Sequence, residues 1–191
     1  MSESLYEVAF VLVATTIFFL PLIMGYHVIR GKIFTCSVDK TVIVWGDEPS
    51  VFRYLADFSN TAEWDPCVSD AKRLTPIYPE PALGDAFEVT SIFRGHPSKM
   101  TYCVTRIVPN SQIWLTGESD VAIANDSITL HQDWPSGATQ RTRVEYRLDV
   151  QLKGWLKPFA WLLGRELEQM AKKSIGGLKI ACARHFSPKR A

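Results

Sequence analysis

The chain of 191 residues carries 21 Lys/Arg and 20 Asp/Glu, so its formal charge at pH 7 is only +1. That charge is unevenly spread, because residues 33–152 hold 10 basic and 16 acidic side chains whereas residues 153–191 hold 9 and 2. The acidic charge of residues 33–152 argues against nucleic-acid binding. The basic face of the C-terminal element is either turned towards anionic lipid headgroups or simply solvated.

An uncharged stretch of 22 residues, VAFVLVATTIFFLPLIMGYHVI, lies between Glu7 and Arg30. As a helix rising about 1.5 Å per residue it would reach about 33 Å, enough to cross a hydrocarbon core of about 30 Å. Its apolar side chains would point all round, whereas a buried helix of a soluble protein keeps a polar face. A cleaved signal peptide would start with basic residues, but this start carries Glu3 and Glu7. The stretch therefore predicts a transmembrane helix over residues 8–29, after a short tail over residues 1–7.

The flanks of this stretch predict its orientation. Arg30 and Lys32 follow it and no Lys or Arg precedes it, so the positive-inside rule predicts an outside N-terminus and a cytoplasmic C-terminal part. We expect a juxtamembrane linker over residues 30–35, one domain over residues 36–186 and a tail over residues 187–191, because about 160 residues are enough for one domain with its own core.

The start of this domain predicts one strand and two short helices. Alternating valines predict a first strand that ends at Gly46, and Asp47 is a good N-cap for a short helix because its side chain can accept a backbone N–H. A second short helix is predicted to begin at Asn60 or Thr61 and to stop before Pro66.

The middle of the chain alternates apolar and polar residues and predicts four or five further strands in a meandering antiparallel sheet with one apolar face. Turn residues at 94–97, 109–110 and 135–137 fit the connections. A long amphipathic helix is predicted from Pro158. Three glycines inside it each weaken it by roughly 1 kcal/mol relative to Ala, so packing must hold it in place.

Several segments of the chain occur in an order that is typical of one known superfamily. They are the first strand running into PSVFRYLAD at 49–57, EWDP at 63–66, Gly84 before a strand, TRV at 142–144 in the last strand, and the long terminal helix. Together they resemble the START-like helix-grip superfamily (SRPBCC), which includes polyketide cyclases, birch-pollen-allergen relatives and coenzyme-Q-binding proteins. The membrane helix is an addition to that family's pattern.

The resemblance implies an α+β fold in which a curved antiparallel sheet grips the long C-terminal helix, with two short helices after the first strand. It also implies a cavity between sheet and helix for a hydrophobic small molecule, such as a lipid, sterol, quinone or polyketide. The alternative is a fully packed core without a cavity. The predicted ligand-binding residues are Trp64, Phe87, Val89, Phe93, Met100, Tyr102, Ile113, Leu115, Tyr146, Phe159, Leu163 and Met170.

No catalytic residue is predicted. Strand parity turns His131 away from the apolar face, and His96 falls in a turn, where it is either a solvated loop side chain or a guard of the cavity mouth. Tyr102 and Tyr146 point inwards, but a phenol with a pKa near 10 is a better hydrogen-bond donor than base. No GxSxG, HExxH, P-loop or GxGxxG motif and no CxxC pair occurs, so neither a cofactor nor a metal is predicted.

These features favour a membrane-anchored protein that binds or transfers a hydrophobic molecule without chemistry. Two alternatives stay open. One is a small enzyme of the cyclase or dehydratase type that acts on an apolar substrate in the same cavity, and the other is a structural or regulatory membrane module.

Overall fold

The computed structural model describes residues 35–77, 80–133 and 140–187. The predicted tail over residues 1–7, the predicted membrane helix over residues 8–29 and nearly all of the linker lie outside these ranges. Within them, no helix combines the length and the apolar character that crossing a bilayer requires.

The described residues form seven strands, three α-helices and two 3-10 stretches. In chain order these are β1 (Thr35–Trp45), α1 (Glu48–Ala56), a 3-10 turn (Phe58–Asn60), α2 (Thr61–Trp64), β2 (Val68–Arg73), β3 (Ala86–Phe93), β4 (His96–Val108), β5 (Gln112–Glu118), β6 (Ala122–Gln132), β7 (Arg141–Leu152), a 3-10 segment (Gly154–Leu163) and α3 (Gly164–Phe186). The last 3-10 stretch is called the 154–163 segment below.

The strands make one curved antiparallel sheet in the order β1-β7-β6-β5-β4-β3-β2. Strand β1 closes against the last strand, with a continuous register from Thr35 opposite Gln151 to Trp45 opposite Arg141. The helix α3 packs on the concave face, mainly against β1. The sequence-based expectation of a curved antiparallel sheet gripping a long C-terminal helix is thereby confirmed.

Three local expectations differ from the structure. Strand β2 was not predicted, because its sequence VSDAKR lacks sustained alternation and it lies at a sheet edge, where one face is solvated. The α-helical part of the terminal helix begins at Gly164 and not at Pro158, since residues 154–163 take the tighter 3-10 form. The side chain of Asp47 makes no capping bond; its carbonyl accepts the Val51 N–H at 3.0 Å instead.

Helix α3 approaches α2 closely, and Gly177 makes this approach feasible. A Cβ atom added at Gly177 would lie 2.0 Å from the carbonyl oxygen of Trp64, which is an impossible contact. At the neighbouring Gly176 an added Cβ would meet nothing within 4 Å. Only one of these two glycines is therefore required by the packing of α3.

Two hairpin turns, the 154–163 segment and the start of β1 lie at one end of the sheet, which we call the entry end. The register pairs Phe93 with His96 at the β3–β4 turn, and Ala122 with Leu152 where β6 begins and β7 finishes. The first described residue, Thr35, lies at the same end because it pairs with Gln151. The two hairpin turns, the 154–163 segment and the start of β1 thus share one end of the molecule.

Candidate functional site

A cavity of about 230 Å³ lies between the concave face of the sheet, α2 and α3. Its wall is formed mainly by apolar side chains, among them Val89, Leu148, Val150 and Leu167. At the entry end the wall includes Val121, which is 49% exposed, so the cavity meets the surface there.

The cavity exists because small residues occupy the sheet positions below it. Towards the far end of the sheet, Ile113 and Ile128 are fully buried in a packed core. Towards the entry end, the corresponding positions on the same strands hold Gly117 and Ala124, which pair in register, and Ala171 of α3 belongs to the same apolar cluster as Ala124. A Cβ atom at Gly117 would lie 2.5 Å from the ring of Tyr102. Small side chains thus leave both the room for the Tyr102 ring and the space of the cavity.

A buried carboxylic acid faces this apolar space. Asp126 on β6 is 2% exposed and lies on the cavity wall. Its Oδ1 accepts a hydrogen bond from the hydroxyl of Tyr146 on β7, while its Oδ2 has no hydrogen-bond partner among the described residues. A buried polar atom without a partner costs free energy, so Oδ2 is the atom that a polar group of a bound molecule would satisfy.

Burial changes the acidity of these groups. It raises the pKa of Asp126 to about 7; the hydrogen bond from Tyr146 acts in the opposite direction, and the nearby Asp65 and Asp149 carboxyls add to the rise. Burial also raises the pKa of both Tyr102 and Tyr146 well above the usual value of 10. Near neutral pH, Asp126 is therefore the group of this set that gains and loses a proton, and the two phenols stay neutral donors.

A second carboxyl, Asp65, lies on the cavity wall at the end of α2. Its Oδ1 accepts the Cys67 backbone N–H at 2.8 Å, and burial raises its pKa. Two hydroxyls, of Thr61 and Ser174, line the same part of the wall. Both already donate to backbone carbonyls, at 2.6 Å and 2.9 Å respectively. Among the described residues of the wall, Oδ2 of Asp126 is the fully buried side-chain atom that lacks a hydrogen-bond partner.

The structure brings most of the predicted ligand-binding residues together around the cavity. Eight of them lie on its wall, namely Trp64, Val89, Phe93, Met100, Tyr102, Tyr146, Leu163 and Met170.

The other four predicted residues lie elsewhere. Phe87, Ile113 and Leu115 are at most 1% exposed and belong to the packed core, and none of them lies on the cavity wall. Phe159 is 46% exposed and contacts Trp155, with ring centroids 6.2 Å apart. Its position in a 3-10 stretch, and not in the helix expected from Pro158, explains why it does not reach the cavity.

Asp126 was missed by the sequence reasoning, although a signal existed. It has the same strand parity as Ile128 and Leu130, which the alternation assigns to the apolar face, so an acidic residue there should have stood out. The histidines lie where they were expected: His131 is exposed, with its Nε2 3.7 Å from Oε1 of Glu145, and His96 is exposed at the β3–β4 turn. In the described part of the chain, no group of three His, Cys, Asp or Glu residues is placed to hold a metal ion.

The fold and its cavity agree with a comparison against protein-family models. Residues 35–182 match the family described as "Polyketide cyclase / dehydrase and lipid transport". The chain belongs to this family. The match extends from the first residue of β1 into the last turn of α3, so the family's domain coincides with the sheet, the cavity and the gripped helix.

Solved structures show the same fold at low sequence identity. The chain is similar to a START superfamily protein from Mycobacterium smegmatis (18% identity, TM-score 0.57, covering 78% of this chain and 96% of that one). It is also similar to the Zhui aromatase/cyclase from Streptomyces sp. R1128 (16%, 0.64, 82% and 99%). A third similar structure is the di-domain ARO/CYC StfQ from the steffimycin biosynthetic pathway (12%, 0.59, 81% and 53%). No match was found among curated proteins.

Proposed function

We propose that this protein binds a hydrophobic small molecule that carries at least one polar group, and that residues 8–29 tether the binding domain to a membrane. The observation that carries the proposal is the unpartnered Oδ2 of Asp126 inside an otherwise apolar cavity. Apolar walls with a small number of placed polar groups are the usual composition of a ligand site.

The cavity volume sets the size of the bound part. An apolar cavity of about 150 Å³ accepts benzene, so about 230 Å³ suits a bicyclic ring system or a short branched chain. Drug-sized ligand sites start at about 300 Å³. A longer molecule would therefore extend past Val121 at the entry end, with its polar group at Asp126.

The pKa of Asp126 indicates which polar group the bound molecule carries. With a pKa of about 7, the carboxyl can donate a hydrogen bond to a carbonyl oxygen when protonated and accept one from a hydroxyl when ionised. The neutral donor Tyr146 fixes the other carboxyl oxygen. Ketones, phenols and alcohols with an apolar body are therefore the favoured ligand class.

A second function, catalysis of the cyclase or dehydratase type, is favoured by the same pKa. General acid–base catalysis works best when the pKa of the group lies near the operating pH. The Asp126 carboxylate would take a proton from the bound molecule and return one to it at another atom, so that the carboxyl ends the cycle unchanged. The family description names both cyclase/dehydrase chemistry and lipid transport, so the two functions need an experimental distinction.

The experiment is to purify the full-length protein, extract it with organic solvent and identify co-purified molecules by mass spectrometry. We expect an apolar molecule with an oxygen function in the wild type and much less of it in Asp126→Asn. The matched control is Asp39→Asn on β1, where the exposed carboxylate lies 3.9 Å from Arg147 and is not on the cavity wall; it should retain the molecule. Recovery of no such molecule from either protein, together with no saturable uptake of ketones or phenols, would contradict binding.

Incubation of the extracted molecule with fresh protein separates the two functions. Binding alone predicts that the molecule is recovered unchanged. A new product that forms with the wild type and not with Asp126→Asn would establish the enzyme.

A further inference from the structure

The 154–163 segment exposes an unusual amount of apolar surface. Trp155 is 79% exposed, Trp161 69%, Phe159 46% and Leu162 44%. Four large apolar side chains within eight consecutive residues form a patch of the kind that marks an interaction site in a folded protein.

This patch lies beside the mouth of the cavity. Lys153, the residue directly before the segment, donates its backbone N–H to the carbonyl of Val121 on the β5–β6 turn at 2.8 Å. Val121 is itself half exposed and lies on the cavity wall, and the last residue of the segment, Leu163, lies on that wall as well. The exposed patch and the cavity entrance therefore form one continuous surface.

The charged residues of the chain segment that carries the patch are all basic, although acidic residues lie at the neighbouring β5–β6 turn, where Glu118 pairs with Lys153 at 2.5 Å and Asp120 precedes Val121. Residues 153–165 contain Lys153, Lys157 and Arg165 and no acidic residue. Lys157, which lies between the two tryptophans in sequence, is exposed. Tryptophans flanked by basic residues are typical of the headgroup region of a membrane, where the indole is half immersed and the cation faces anionic lipid.

The N-terminal end of the domain points to the same partner. Thr35 lies at the entry end opposite Gln151. The next residue, Cys36, is close to Gly164, because a Cβ atom added at Gly164 would lie 3.8 Å from the Cys36 Sγ. Strand β1 therefore begins next to the start of α3. Residues 30–34 separate this point from the predicted membrane helix. Five residues reach at most about 18 Å when extended. If that helix spans the bilayer, the entry end is held at its surface.

We propose that the 154–163 segment, together with Val121, docks onto the headgroup region of a bilayer that contains anionic lipid. Docking places the mouth of the cavity against the membrane, so that an apolar molecule passes between bilayer and cavity without crossing bulk water. The proposal concerns the partner of this surface and does not depend on which molecule the cavity binds.

The tryptophans make a direct test with the full-length chain. All six lie after residue 44 and none in the predicted membrane helix, so quenching of tryptophan fluorescence by brominated lipids reports only on the domain. The protein is reconstituted into phosphatidylcholine/phosphatidylserine vesicles with and without bromine on the acyl chains. Docking predicts clear quenching of the wild type. An emission that bromine does not change would overturn the proposal.

Substitutions locate the contact. The double variant Trp155→Phe, Trp161→Phe removes the reporting indoles but keeps apolar surface, so most of the quenching should disappear. The matched control is the double variant Trp45→Phe, Trp114→Phe, because these indoles contact Arg141 and Arg106 away from the patch; this variant should stay quenched. Quenching that survives the first pair of substitutions would overturn the assignment of the contact to this segment.

A charge variant that leaves the packing alone gives an independent readout. Lys157→Glu should weaken quenching in vesicles with phosphatidylserine and have less effect in phosphatidylcholine alone. The competing occupant of the patch is a second copy of this chain. If Trp155 and Trp161 are not quenched and the segment forms chemical cross-links between two copies of the chain in detergent, the patch binds a second copy and not the membrane.

Discussion

Replacement of Asp126 by Asn should abolish a pH dependence of stability in the ligand-free protein. Asn has nearly the same shape, and its carbonyl oxygen can still accept the hydrogen bond that Tyr146 donates to Oδ1. Unlike Asp126, however, it never takes up a charge inside the apolar cavity.

The sign and size of the effect follow from the pKa values. The pKa of Asp126 is about 7 in the folded protein and about 3.9 in an unfolded chain. Between these values the folded state keeps a proton that the unfolded state releases. The contribution of Asp126 to stability is therefore largest below about pH 4, falls as the pH rises towards 7, and is constant above it. About three pH units correspond to about 4 kcal/mol.

The assay is thermal unfolding of wild type and variant from pH 5 to pH 8. At pH 8 the Asn variant should melt higher, by an amount of order 10 °C, since 1 kcal/mol shifts the midpoint by about 2–4 °C at this size. At pH 5 the two curves should approach each other. Asp39→Asn is the control, because its side chain is 68% exposed beside Arg147 and is not on the cavity wall. Parallel curves for wild type and Asp126→Asn would refute the reasoning.

Three further predictions test the packing and the placement of the domain. Gly177→Ala should lower the free energy of unfolding by roughly 1 to 3 kcal/mol or more, because its Cβ would clash with the Trp64 carbonyl. The control Gly176→Ala should raise that free energy by up to about 1 kcal/mol. Equal effects of the two variants in denaturant melts would show that α3 does not pack on α2 as described. A fragment over residues 33–191 should fold and melt cooperatively without the N-terminal stretch, and aggregation of that fragment would indicate that this stretch packs on the domain. Protease added outside sealed right-side-out vesicles should leave the domain intact, and its digestion would reverse the orientation predicted from the residues that flank residues 8–29.

The overall architecture could be predicted because its signals are local and repeated. Alternation in β3 to β7 and the amphipathic pattern of the terminal helix each extend over several residues, so that single exceptions do not hide them. The edge strand β2 gave no such signal, since only one face of it is buried and its sequence is short and polar. The start of α3 was misplaced because apolar residues recur through the 154–163 segment whether it is α-helical or 3-10.

The site could be predicted only in part. Strand parity identifies which side chains point inwards, and eight of twelve proposed residues do lie on the cavity wall. Parity alone cannot tell where along the sheet the core is filled and where it is hollow. That depends on which small residues come together in the assembled fold: Ala124 of β6 and Ala171 of α3 lie on the cavity wall, and Gly117 of β5 leaves room for the Tyr102 ring. Phe87 and Leu115 consequently appeared equivalent to Tyr102, although of the three only Tyr102 lies on the cavity wall.

The most direct test of ligand binding is a calorimetric titration with 2-naphthol, a bicyclic aromatic alcohol of a size that suits about 230 Å³. The wild type should bind it saturably at one site and bind naphthalene more weakly, because naphthalene has no hydroxyl for Asp126. Ala124→Phe, which fills the cavity from the wall of β6, should abolish binding of both while the protein still melts cooperatively. Binding that is unchanged in Ala124→Phe, or no binding of either compound to the wild type, would contradict a ligand cavity at this position.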